Sequence, residues 1–169
     1  MNLKRIACPV AGLLIFISGG AFSASPVQQN NMSLALANAL VEAAMASCHA
    51  EGRSAVVTVI DRGGHLLSLQ RDDNVGPHNT DAARKKAFTA LSTKTPSRQL
   101  AENARNQPDS ANLTTLDSLL LIGGGVPVKV GDEVIGAIGV GGAGGAVFDE
   151  ACALNAIAKI IPAQKKEKH

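Results

Sequence analysis

The sequence has no tryptophan and no tyrosine, and four phenylalanines are its whole aromatic content. Leu, Ile, Val and Ala are therefore left to line any ligand site. Cysteine is scarce too, with three residues, and neither C-x-x-C nor H-x-x-x-H spacing occurs, so nothing points to a dedicated zinc site. The G-x-S-x-G elbow of a serine hydrolase is missing. Gly123-Gly124-Gly125-Val126-Pro127 lacks the following Gly-Lys-Ser/Thr of a phosphate loop, and a turn or bulge accounts for it. Asp72 and Asp73 are adjacent, so on an extended chain their side chains diverge and form no acid/base pair.

What is present begins at the N-terminus. Lys4 and Arg5 precede an apolar stretch from Ile6 to Phe22, which ends in the small-residue run Ala21-Phe22-Ser23-Ala24-Ser25. This is the layout of a secretory signal peptide. The stretch is broken by Pro9, Gly12, Gly19 and Gly20 and falls short of the ~20 apolar residues a spanning helix needs. Cleavage near Ser23 to Ser25 is expected, removing Cys8 and placing the chain in the periplasm or outside the cell. Of 16 Lys+Arg and 14 Asp+Glu, the peptide carries two basic residues, so the mature chain is formally neutral. A nucleic-acid binder normally shows a basic face. Here the dense basic runs are Arg84-Lys85-Lys86, read as a solvated helix face, and the tail Lys165-Lys166-Lys168. Nucleic acid is not expected as a partner, nor is membrane insertion after cleavage.

The remaining ~145 residues suit one domain with a real core. The expected division is a signal peptide over 1–23, a disordered lead-in over 24–32, a domain over 33–162 and a basic tail over 163–169. Ser33 can cap a helix to about Ala50. Leu34, Ala37, Val41, Ala44, Met45 and Cys48 recur at helical spacing. The β-branched run Ala55–Ile60, the turn Asp61-Arg62-Gly63-Gly64 and a return over His65–Arg71 read as a hairpin. A helix follows over Asn79–Thr93, with Ala83, Ala87, Phe88 and Leu91 inward and Asp81 four residues before Lys85. A short helix to about Asn103 comes next, and then irregular chain over 105–115. Three short strands are expected at Leu119–Ile122, Val126–Val130 and Val134–Val140, and a last helix over Val147–Ile161. The order α-β-β-α-α-β-β-β-α favours an α+β domain with one five-stranded antiparallel sheet flanked by helices.

Gly139-Val140-Gly141-Gly142-Ala143-Gly144 matches G-x-G-x-x-G, but one helix and a Lys-rich tail follow it, with no further strand to complete the βαβ unit of a dinucleotide site. Two readings stay open. The turn can deliver backbone N–H groups to an anion at a helix start, or its glycines can permit close approach at a subunit contact.

Several segments in order resemble the GlcG/HbpS family, also called the haem-degrading domain family. They are Val59-Ile60-Asp61-Arg62-Gly63-Gly64-His65-Leu66, Gly76-Pro77-His78, Ala82 through Ala90, Thr95-Pro96-Ser97, Gly123 through Pro127, Gly136 through Val140, and Asp149 through Ala153. The resemblance spans roughly residues 33–161. It implies a five-stranded antiparallel sheet with flanking helices, assembly into homo-oligomers, haem binding in some members, haem breakdown in a few, and accessory roles in organic-acid metabolism in others. The segment after the last strand departs from the family's pattern, reading Gly142-Ala143-Gly144-Gly145-Ala146 here.

Three functions follow from it: an exported haem-binding or haem-sequestering protein, a small-molecule accessory enzyme, and a non-catalytic oligomeric partner of a sensor. No catalytic set is assignable. With haem as cofactor, His78 is the candidate iron ligand. It lies in a loop at a helix start, where the dipole disfavours its protonation, and Arg84, Lys85 and Lys86 lie further along for the propionates. With so few aromatics, a surface or intersubunit site is expected over a deep one. Cys48 and Cys152 lie on the first and last helices. If those share a face, small neighbours (Ala44, Ala151, Ala153, Ala156) permit the ~5.5–6 Å Cα separation of a disulfide. Two buried thiols are the alternative.

Overall fold

The computed structural model describes residues 24–161. The expected signal peptide and basic tail lie outside these residues. Ten elements follow one another: α1 (Leu34–Ala50), β1 (Val56–Asp61), β2 (Leu66–Arg71), α2 (His78–Thr93), α3 (Ser97–Asn106), α4 (Pro108–Ala111), a 3-10 turn (Asn112–Thr115), β3 (Gly125–Val130), β4 (Glu133–Gly141) and α5 (Ala146–Ile160). Ser33 caps α1 as expected, its side chain accepting from the Leu36 N–H at 3.2 Å.

The sheet has four antiparallel strands in the order β2-β1-β4-β3, not five. Leu119–Ile122, expected as a strand, pairs with none. Its polar groups are taken up elsewhere. Thr89 Oγ1 accepts from the Leu120 N–H at 2.8 Å, Ser97 Oγ donates to the Ile122 carbonyl at 2.7 Å, and the Ile122 N–H turns back onto the Leu120 carbonyl. Two helix side chains thus replace a ladder, and the apolar run is a connector clamped to α2 and α3. The expected disordered lead-in also ends in ordered structure. The Met32 N–H donates to the Ile135 carbonyl at 3.0 Å, and Met32 is buried.

Helices cover both faces of the sheet, which is why Val56–Ile60 is β-branched and buried throughout instead of alternating. On one face Val57, Val59, Val126, Val128, Ile138 and Val140 meet α1 and α5 in the main core. There Cys48 and Cys152 form a disulfide with Cα atoms 5.4 Å apart, closing a separation of 104 residues. A loop that long gives ~4–5 kcal/mol in the chain-entropy account. Ala44, Ala153 and Ala156 are buried around it, whereas Ala151 is exposed.

The opposite face takes α2, seated on backbone. Gly125 and Gly139 are register partners on β3 and β4. A Cβ on Gly139 would lie 2.0 Å from the Ala83 carbonyl oxygen, and one on Gly125 would lie 2.0 Å from that of Lys86. These glycines open a trough for the helix, a close approach within one chain. Gly139→Ala is expected to lower stability by ~3 kcal/mol or more, since well-packed backbone has nowhere to retreat. Urea unfolding of the two proteins reads the difference, and an unchanged midpoint would contradict the close seating of α2.

Candidate functional site

The trough brings α2 against the glycine-rich segments and makes one of its lysines internal. Lys86 is 4% exposed. Its ammonium donates to Asp149 Oδ2 at 2.7 Å and to the Val140 carbonyl at 3.1 Å. Asp149, also buried, accepts the Ala143 N–H on its other oxygen at 2.8 Å. The Gly142–Gly145 turn, with φ of 90° at Gly142, 96° at Gly144 and 130° at Gly145, therefore does present a backbone N–H to a carboxylate. The carboxylate is the protein's own. Arg53 holds the same turn from outside, donating to the Ala143 carbonyl at 2.8 Å while its guanidinium stacks 3.4 Å from the Phe148 ring centroid. One residue on, the buried Glu150 pairs with Arg98, which also reaches Glu102 at 2.9 Å. The bond Arg98 donates to Glu150, with the charges of both carboxylates, raises the Arg98 pKa.

The expected propionate partners thus separate. Lys86 is engaged inside the fold and faces no solvent. Arg84 and Lys85 stay on the surface and share Asp81, at 3.1 and 3.2 Å. Their hydrogen bonds hold the Asp81 carboxyl below its ordinary range. Two cations against one carboxylate leave this cluster net positive.

His78 is the first residue of α2 and is exposed. Its ring lies over Gly76, where a Cβ would come within 2.9 Å of it. The other described histidines are tied to carboxylates. His49 Nε2 lies 2.9 Å from Asp72, and His65 Nδ1 lies 3.3 Å from Asp61. Burial works to raise the Asp72 pKa, but the Ala55 N–H and His49 together hold it below the ordinary carboxylate range. Among the described residues His78 alone keeps both ring nitrogens without a hydrogen-bond partner. No cluster of three His, Cys, Asp or Glu residues that could hold a metal forms among the described residues, and none of their helices is long and apolar enough to cross a membrane.

The roles of Lys86, Asp149 and Glu150 are what sequence reasoning missed. The signal was there: Lys86 follows Ala83 by three residues and precedes Ala90 by four, inside the apolar stripe of α2, so its charge required an internal partner. Breaking a buried pair costs ~3–5 kcal/mol, because the remaining charge is stranded. Lys86→Met is expected to lose that much in denaturant unfolding, and adding Asp149→Leu to cost less than the two single effects combined. Strict additivity would mean that the pair does not interact.

A family model described as haem degrading protein HbpS-like matches residues 32–158. Protein GlcG of Escherichia coli K12 is 33% identical over 109 residues, 64% of this chain and 80% of GlcG. The structure of a double mutant of Streptomyces reticuli HbpS superposes with a TM-score of 0.74 at 32% identity, covering 92% of this chain and 98% of that one. The structure of a PduOC:haem complex superposes at 0.68 with 25% identity, over 76% and 94% of the two chains. With the match running from Met32 into the last helix, and the same fold in the solved relatives, this chain belongs to the HbpS-like family.

Proposed function

We propose that this chain is an exported haem-binding protein, with His78 as the iron ligand, and that it sequesters, senses or handles haem outside the cytoplasm. The observation that carries the reading is the free His78 ring. A neutral imidazole with no competing carboxylate is a good ligand for ferric or ferrous iron. Lys85, seven residues on, is two helical turns along the same face as His78. With Arg84 it forms the net positive cluster suited to propionates. Lys86 is not part of this set. Haem, when bound, supplies its own redox and ligand chemistry. The protein's residues hold the iron at one imidazole and orient the macrocycle through its carboxylates. Family membership and the PduOC:haem relative support haem as the ligand class.

Export rests on the tripartite N-terminus, and homo-oligomer assembly on family resemblance together with the exposed Val147, Phe148 and Leu154 of α5. Hemin titration of the purified exported protein is expected to give a saturable Soret band that shifts in position and weakens at least tenfold in affinity in His78→Ala. A wild-type protein without a Soret change would dismiss haem, and an unaffected variant would dismiss His78. Sequencing the N-terminus of the same material is expected to begin between Ala24 and Pro26, whereas an intact Met1 would contradict export.

A further inference from the structure

The opposite end of α2 carries a second site that the haem reading does not use. His78 and Ser92 are separated by about 21 Å along the helix, at 1.5 Å per residue. Beside Ser92 a groove of about 310 Å³ is walled by Phe88, Leu91 and Val134 and floored by the β1–β2 turn. The turn is held there because Gly64, at φ +83°, has no Cβ. One would meet the Phe88 ring at 3.1 Å. Arg62, Lys94 and Val134 also line an adjoining hollow of about 410 Å³, together with Asp132 and Glu133. The two form one cleft with an apolar half and a charged half, and their volumes fall in the range of small-ligand sites.

The charges of the second half select the ligand. Arg62 and Glu133 neutralise each other at 2.5 Å. The Asn30 amide, followed by Arg62, keeps the Glu133 carboxyl below its ordinary range against the effect of burial. Two charges remain. Lys94 closes α2 in the left-handed conformation at φ 54°, and Asp132 sits in the β3–β4 turn. Neither has an ion-pair partner among the described residues. The hollow therefore offers one ammonium and one carboxylate with no net charge, which gives a simple anion or cation no advantage. Haem, a dianion, matches it poorly.

We infer that this cleft binds an apolar or aromatic α-amino acid, with the carboxylate on Lys94, the ammonium on Asp132, and the side chain against Phe88, Leu91 and Val134. Calorimetric titration of the purified protein with L-phenylalanine and L-leucine tests it, with 3-phenylpropionate and phenethylamine as ligands carrying one charge each. At least one of the two amino acids is expected to saturate, the single-charge analogues to bind at least tenfold more weakly, and Lys94→Gln and Asp132→Asn each to weaken the amino acid at least tenfold. Amide shifts should be confined to the 61–65 turn, the end of α2 and residues 132–134. Absence of saturation by both amino acids, equal affinity for 3-phenylpropionate, or indifference to both substitutions would overturn the inference. His78→Ala leaves this site intact, so its outcome is separable from that of the haem experiment.

Discussion

One buried ammonium organises the domain. Lys86 Nζ stands where α2, β4 and α5 converge, bonded to the Asp149 carboxylate and the Val140 carbonyl. An unpaired charge there would be prohibitive, so the helix, the strand and the last helix are defined together or not at all. Asp149 passes the constraint on through the Ala143 N–H to the glycine-rich turn. Arg53 closes the other side of that turn through its carbonyl. Seating the lysine so deep requires α2 to meet strand backbone where no Cβ intervenes, which is what Gly125 and Gly139 allow. Stability from such a pair is modest against an apolar alternative, but its geometry fixes the register of α2 against the sheet.

That register sets what the two ends of α2 can do. At its start the chain leaves a free imidazole beside a cluster with one cation in excess. At its end it presents a half-buried phenylalanine and a left-handed lysine to the hairpin turn. The ends share a rigid rod but not a surface, and their charge balances differ: net positive near His78, neutral at the cleft. A ligand with two carboxylates and a zwitterion are separated by that difference.

Much of this was legible from residues. The cap at Ser33, the hairpin around Gly63-Gly64, the Asp81–Lys85 pair and the bounds of α1, α2 and α5 follow from local spacing and turn chemistry, whereas α3 runs on to Asn106 and α4 with its 3-10 turn occupies the stretch expected to be irregular. The missing fifth strand was not legible. Leu119–Ile122 has strand composition, and what denies it a ladder is a pair of hydroxyls, Thr89 and Ser97, from helices far away in sequence. Arg84-Lys85-Lys86 reads as one basic run, yet helical rotation puts two of its members in solvent and one in the core. The segment Gly139–Gly144 reads equally as an anion turn or as a close approach at a subunit contact. The turn itself, at Ala143, holds an internal carboxylate, while Gly139 before it makes room for α2. Partners distant in sequence decide each of these cases, and local pattern does not carry them.

The most direct test of the account is amide hydrogen exchange at Ala143. If the Lys86–Asp149 pair holds the glycine-rich turn, the Ala143 N–H of the native protein exchanges only on global unfolding, despite its place in a loop between exposed glycines. In Lys86→Met it should exchange through local opening, faster than the β1 and β4 amides. Fast exchange at Ala143 in the native protein, or protection unchanged by the substitution, would contradict the claim that one buried ion pair organises this fold.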